Sequence, residues 1–277
     1  MLATYKELLE AAEKGGYAVP AFNIYNMETV MGVISAAEES RSPVILQTYS
    51  RLLDNEEGYY VAPVILAAAK KATVPVCYHL DHGASEKEVL RALRYGATGI
   101  MIDRSLDDFE KNISYTKNIV DICDHVGIGV EGEIGHVGMA AAGDEKTIAY
   151  TTVEEAKEFS ERTGVIALAV AVGTAHGRYK QAPKLAIDRI REIHEAIKPA
   201  VVLHGGSGIP DEQIREAIKA GIRKVNFGTD LCYSFIDEIF VTSRDKIAVD
   251  AFMKGPVEAV KKFALSKMEL LSAVGKA

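Results

Sequence analysis

Seven histidines are spread through this sequence, and three of them stand where a metal site could be built. His82 closes the segment VPVCYHLDH (74–82), His176 lies near the end of VIALAVAVGTAHG (165–177), and His204 follows the apolar run of AVVLHGGSG (200–208). One histidine at such a place is more often a hydrogen-bonded structural group than a ligand. Three imidazoles converging from separate segments are the ligand set of a catalytic zinc site, with a further position left for water or substrate. Such an ion acts as a Lewis acid on an oxygen, or lowers the pKa of a bound water to roughly 7. His125 and His194 fall in helical patterns and read as surface residues. His79 alternates with Asp81, so both face the interior or the rim.

Asp81 adjoins His82, which places a carboxylate beside a candidate metal ligand. Two glycine-bearing segments, His176-Gly177 and His204-Gly205-Gly206-Ser207-Gly208, allow backbone N–H groups to approach an anion. The glycines could instead only form a tight turn before Pro210 opens a helix; a ligand histidine immediately before them favours a phosphate beside the metal. Asn23, Asp103, Glu131, Glu133, Asn226 and Asp230 occupy comparable places in other segments. Barrel hydrolases typically place His-x-His on their first strand, whereas the corresponding run here offers Asn23, so hydrolysis is the weaker reading.

The elements that must position these residues follow from the hydrophobic pattern. Short runs at 19–25, 43–50, 74–82, 99–105, 127–135, 165–177, 200–208 and 224–230 read as strands, several continuously apolar as in parallel sheets covered on both faces. Helical stretches such as 27–40, 86–96, 107–126, 153–164, 182–197 and 211–221 lie between them, several ending at Gly. Eight such units suit a closed barrel or an open doubly wound sheet. No GxGxxG follows the first strand, and polar residues gather at the C-terminal ends of successive strands, where barrel enzymes keep their chemistry. The expected fold is a single α/β (β/α)8 TIM barrel, one domain over residues 1–277.

Composition narrows the function. With 48% hydrophobic residues and a net charge of −7, its basic residues dispersed, the chain offers no basic patch for nucleic acid or an anionic membrane. No apolar run approaches the roughly 18 residues of a membrane span, and the N-terminal stretch reads as an amphipathic helix without a signal core. Cys77, Cys123 and Cys232 are far apart and read as small hydrophobes in a reducing, cytoplasmic setting.

Taken in order, AVPAFN (18–23), HLDHG (79–83), GTAHGRYK (173–180), LHGGSGIP (203–210) and KVNFGTD (224–230) resemble the class II fructose-bisphosphate and tagatose-bisphosphate aldolase family over essentially the whole chain. The resemblance implies a ketose phosphate as partner and its reversible cleavage to dihydroxyacetone phosphate and an aldehyde. It implies one Zn²⁺ per subunit on His82, His176 and His204, which polarises the carbonyl of dihydroxyacetone phosphate. Asp81 then handles the proton on the C4 oxygen and Asn226 hydrogen-bonds the reacting atoms. Asn23 and Ser50 are further substrate contacts. Gly177, Gly205, Ser207, Gly228, Thr229 and Asp230 cradle the C1 phosphate, with Lys180 nearby and a Na⁺ or K⁺ beside it. Asp103 and Glu133 match carboxylates that take a second divalent ion or support the histidines. Similar enzymes form homodimers or homotetramers.

Three departures from the family pattern bear on the substrate. The segment EIGHVGMAAAGDE (133–145) has Ala140 and Ala141 where acids are common, leaving Asp144, Glu145 or His136 as substitutes for moving the C3 proton. Arg104 replaces a glycine, with a surface or interface salt bridge as its plainer role. In VDAFMKG (249–255), expected before the last helix, Phe252 stands where relatives carry an arginine for the distal phosphate of a neighbouring subunit's substrate; a benzyl group offers no charge-assisted hydrogen bonds. Ser50 remains, with Arg51, Arg104 or Lys254 as replacements for the lost charge. The expectation is a retained dihydroxyacetone phosphate half with an altered aldehyde half, as in aldolases for deoxy-, sulfo- or keto-deoxygluconate phosphates. A non-catalytic subunit that stabilises an aldolase would not need all three ligands together with Asp81 and Asn226.

Overall fold

The computed structural model describes residues 1–135, 150–175, 177 and 183–277. Its strands are β1 (Val19–Asn23), β2 (Val44–Tyr49), β3 (Val76–Gly83), β4 (Gly99–Ile102), β5 (Val130–Ile134), β6 (Ala167–Val170), β7 (Ala200–Leu203) and β8 (Ile222–Phe227). All pair in parallel and close in sequence order, β8 back onto β1. Helix α1 (Tyr5–Gly15) precedes the barrel. The remaining helices are α2 (Met27–Ser40), α3 (Ser50–Asp54), α4 (Glu57–Lys71), α5 (Glu86–Arg94), α6 (Phe109–Asp124), α7 (Val153–Thr163), α8 (Ile187–Ala196), α9 (Asp211–Ala220), α10 (Thr229–Val241) and α11 (Val249–Leu270). This is the expected (β/α)8 barrel. Among the described residues, no helix is long and apolar enough to cross a membrane.

Local sequence explains the boundaries. Thr4 and Thr152 cap α1 and α7 in reciprocal pairs with Glu7 and Glu155, and α1 and α7 end at Gly16 and Gly164 in the left-handed conformation. Along β3, Tyr78 and Leu80 pack outward with the helices, while Cys77 belongs to the smaller interior cluster. His79 and Asp81 share the period-two phase of Cys77 and so point inward, as the alternation requires. Two boundaries differ from the sequence reading. The apolar run at 165–177 leaves the sheet after Val170, because Ala171 exchanges hydrogen bonds with Thr151 and Val172 accepts from Ala186. Gly177 therefore lies beyond a connecting loop, not at a strand end. And α11 begins at Val249, so Phe252 sits in its first turn, its N–H bonded to Ala248, rather than before the helix.

Helix α1 closes the N-terminal end of the barrel. Ala3 and Tyr5 donate to the carbonyls of Val76 and Thr98, seating the helix against β3 and β4. Tyr5 is fully buried, edge-on to His79 at 4.6 Å between ring centroids. Gly99 makes room for both rings: a Cβ there would lie 2.7 Å from His79 Cδ2 and 2.7 Å from Tyr5 Cβ. Gly99→Ala is expected to destabilise the protein by about 1–3 kcal/mol through overpacking, read as a lower midpoint in urea unfolding. An unchanged midpoint would show that the floor tolerates extra volume.

Candidate active site

Strand alternation would send Asp81 and His82 to opposite faces, yet both line the same cavity. The backbone explains it. His82 has φ 48°, one of few non-glycine residues in the left-handed region, and the β3–β4 register shifts between Leu80 and Gly83. Such a conformation costs of order 1–3 kcal/mol. It is held by the 2.8 Å hydrogen bond from Asp103 N–H to the Gly83 carbonyl. The strain rotates the imidazole beside the carboxylate.

His82 and His204 each have one ring nitrogen fixed by a carboxylate. His82 Nδ1 is 2.8 Å from Asp103 Oδ2, and His204 Nε2 is 2.8 Å from Glu131 Oε1. The other two nitrogens, His82 Nε2 and His204 Nδ1, face each other at 3.0 Å. Carboxylates on the far nitrogens set tautomer and ring orientation in this way at metal-ligating histidines. Asp81 joins the pair in one potential ligand group, and Asp103 with Glu133 joins His82 in another. Glu133 Oε2 is 3.9 Å from His82 Nδ1 and 3.7 Å from His204 Nδ1. Burial works against a charged imidazole at His82, but Asp81, the bond to Asp103 and Glu133 together push its pKa up to about 10. Burial and the nearby cation His82 lower that of His204, against the pull of its hydrogen bond to Glu131. The pocket thus stabilises positive charge where the two nitrogens converge, and the donor set fits a divalent ion. His176, the expected third ligand, lies outside the described residues, as do Lys180, His136, Ala140, Ala141, Asp144 and Glu145.

Beneath these ligands runs a buried network that the sequence reading did not single out. Glu131 accepts from His204 Nε2, from Lys224 Nζ at 2.8 Å and from the Tyr5 hydroxyl, and all four groups are inaccessible to solvent. Burial opposes the charge on Glu131, but Lys224 and the hydrogen bond from His204 hold its pKa well below the ordinary value. Burial, then Lys224, drives His79 down to about 3, so this ring is neutral. The signal in the sequence was alternation: Glu131 shares the phase of Glu133, and Lys224 that of Asn226.

Asp81 is held as an ionised, oriented carboxylate. Asn23 Nδ2 donates to one carboxylate oxygen at 2.7 Å and Asn226 Nδ2 to the other at 3.2 Å. Burial opposes its charge, but His82, His204 and Lys224 lower its pKa. The cavity it faces has a volume of about 430 Å³. On one side it is walled by Gly177, Gly205, Ser207, Gly228 and Thr229, where the uncapped N-terminus of α10 opens. The positive end of the helix dipole there suits an anion. Gly206 cannot carry a side chain, since its Cβ would lie 2.6 Å from Val225 Cγ1 and 2.8 Å from the Asn226 carbonyl. Asp230 does not line the cavity; it accepts from Gly208 N–H at 3.1 Å while its own N–H donates to Ser207 Oγ at 3.2 Å, shaping the seat. Ser50 is also off the wall, since α3 starts there and presents its neighbours Tyr49 and Arg51 instead. Arg104 takes its plainer role: it pairs with Asp107 at 2.6 Å and lies over the Tyr115 ring at 4.7 Å.

Residues 3–276 match the family model of class II fructose-bisphosphate aldolases. The chain belongs to that family. A sulfofructosephosphate aldolase of Alkalicoccus urumqiensis is 41% identical over 235 residues, covering 84% of this chain and 82% of the relative. A fructose-bisphosphate aldolase of Thermus caldophilus is 39% identical over 306 aligned positions, 100% of both chains. The crystal structure of the YdjI aldolase of Escherichia coli K12 superposes with TM-score 0.91 and 38% identity over 100% of both chains. Membership implies metal-dependent aldolase chemistry, the kind of reaction that the paired imidazoles and Asp81 can support.

Lys224→Met would leave Glu131 as an uncompensated buried charge, so a loss of about 3–5 kcal/mol is expected. Adding Glu131→Gln should restore part of it. Denaturant unfolding of metal-free protein measures both, and equal stability of the single and double variants would show that the ion pair is not the source of the loss.

Proposed function

We propose that this protein is a zinc-dependent aldolase that reversibly cleaves a ketose phosphate to dihydroxyacetone phosphate and an aldehyde. The observation that carries this reading is the convergence of His82 Nε2 and His204 Nδ1 at 3.0 Å beside the ionised Asp81. When bound, a divalent ion supplies Lewis-acid polarisation of the substrate's carbonyl oxygen. His82 and His204 would hold it, with His176 as the third ligand by family resemblance and Asp103 or Glu133 available for a second ion. Asp81 takes the proton from the C4 hydroxyl in cleavage and returns it in condensation. Asn23 and Asn226 orient that carboxylate and exclude other rotamers. The glycine loop, Ser207 and the α10 N-terminus receive the C1 phosphate by hydrogen bonds and helix dipole, with a Na⁺ or K⁺ alongside.

For the aldehyde half, two readings remain: a fructose or tagatose 1,6-bisphosphate, or a modified ketose phosphate. Phe252, standing where relatives carry the distal-phosphate arginine, favours the second. We also propose that the protein is a homo-oligomer. Tyr233, Ile236, Phe240 and Val241 on α10, with Ile247 and Val249 beyond it, expose a run of large apolar side chains, Phe240 at 82% and Ile247 at 91%, of the kind that a partner subunit covers. Sedimentation should therefore give a species at least twice the 30.0 kDa chain mass; a monomer at micromolar concentration would refute it.

Asp81→Ala is expected to retain bound metal while lowering turnover about 10²–10⁴-fold, and His204→Ala to lose metal and turnover together. Full metal content and rate in His204→Ala would overturn the ligand assignment. Cleavage of either 1,6-bisphosphate at about 10⁴ M⁻¹s⁻¹ or more in kcat/KM would select the first substrate reading and reject the second.

A further inference from the structure

One buried side chain of the barrel interior takes no part in the metal and proton chemistry. His79 on β3 is inaccessible to solvent, and among the described residues neither of its ring nitrogens has a hydrogen-bond partner. Its neutral ring has one N–H to place. A buried polar group is rarely left this way, because an unmade bond costs the group its full desolvation. An acceptor is close. Glu131 Oε2 stands 3.8 Å from His79 Nε2, just beyond hydrogen-bond length. That oxygen is already full. A carboxylate oxygen offers about two lone-pair sites, and Oε2 accepts from both Lys224 Nζ and the Tyr5 hydroxyl, while Oε1 accepts from His204 Nε2. Tyr5 packs edge-on against the His79 ring, and Gly99 lies so near that ring that a Cβ there would be 2.7 Å from its Cδ2. His79 is therefore wedged in place, and the group free to turn is the carboxylate.

We propose that Tyr5 is a positioning residue for the metal site: by filling Glu131 Oε2 it keeps the carboxylate from turning to His79, and so holds Oε1 on His204. This rests on the reading of His204 as a metal ligand. Two neighbours make opposite demands on His204 Nε2. Glu131 Oε1 is an acceptor 2.8 Å away, whereas Asn226 Nδ2 is a donor 3.2 Å away. While the carboxylate is in place, Nε2 carries the ring proton and Nδ1 keeps its lone pair for an ion. With the carboxylate turned to His79, Asn226 becomes the partner of Nε2. The ring proton then belongs on Nδ1, and the nitrogen that faces His82 no longer offers a lone pair. Tyr5 does not line the cavity and reaches the ligands through this one carboxylate. Helix α1 thereby bears on metal retention from the floor of the barrel, and the unpaired His79 is the competitor that Tyr5 excludes.

The test is the Zn²⁺ affinity of the full-length protein, measured by competition with a chromophoric chelator well below the melting temperature. Tyr5→Phe keeps the ring that fills the floor and removes only the hydroxyl. It should bind Zn²⁺ about 10- to 100-fold more weakly than wild type, the range for lost support of a ligand histidine. Removing the competitor as well should reverse the effect. Tyr5→Phe/His79→Leu should regain most of the affinity, and His79→Leu alone should bind as wild type does. A merely structural role for Tyr5 would lower the melting temperature of Tyr5→Phe and leave its Zn²⁺ affinity unchanged. Unchanged affinity in Tyr5→Phe, or a loss that His79→Leu does not reverse, would overturn the inference. His204→Ala separates the two levels. If it loses Zn²⁺ while Tyr5→Phe binds as wild type does, the Tyr5 assignment alone fails. If His204→Ala binds Zn²⁺ as tightly as wild type, the ligand reading fails and the Tyr5 assignment with it.

Discussion

The barrel is organised around one buried ion pair, Lys224 with Glu131 at 2.8 Å. Either ion alone in this interior would cost several kcal/mol, and the pair is tolerable only because its remaining hydrogen-bonding capacity is used. Tyr5 and His204 use it. The space for such long side chains comes from small neighbours on the interior wall. Glu131 sits in register with Ala167, and Gly99 and Ala21 stand where larger residues would fill the lumen. Tyr5 reaches Glu131 only because α1 is laid across the barrel floor by its backbone bonds to β3 and β4. The N-terminal helix is thus part of the chemistry's foundation as well as a cap on apolar strand ends.

From this pair, order passes upward by one hydrogen bond at a time. An ionised Glu131 fixes the Nε2 proton of His204, which leaves Nδ1 directed at His82. On the other ring Asp103 performs the same function through Nδ1. Neither imidazole could be oriented this way by a neutral partner as firmly, because charge-assisted bonds are roughly twice as strong. The left-handed conformation of His82 is the local cost of bringing an imidazole and a carboxylate from adjacent residues to one cavity. A regular strand would have kept one of them in the outer layer.

Much of this was legible in the sequence because barrels repeat. Eight apolar runs and a circuit of polar strand ends gave the architecture, and alternation placed His79 and Asp81 on one face. What alternation cannot supply is register: Tyr5 and Glu131 are far apart in the chain, and nothing local says that they meet. Nor does it foresee departures from regularity. His82 breaks phase through its φ, the sixth run leaves the sheet at Ala171 for a bond with Thr151, and a helix starting at Ser50 turns that serine away while presenting Tyr49 and Arg51. Each is a backbone event decided by tertiary hydrogen bonds, and each moved a residue relevant to substrate.

The site is consequently divided into parts with different freedom to change. Metal ligands, Asp81 and the anion seat are tied through Asn23, Asn226, Asp103 and Glu131 to the buried network, so altering one disturbs several charges. Among the described residues, Tyr49 and Arg51 are tied to none of these by a side-chain hydrogen bond or ion pair; they meet through ring faces. Replacing them would leave no buried charge unpaired, since both are exposed. The mouth after β2 is where a fold bound by its ion pair can still vary its substrate, because there the energetic consequence of substitution falls on the ligand rather than on the barrel.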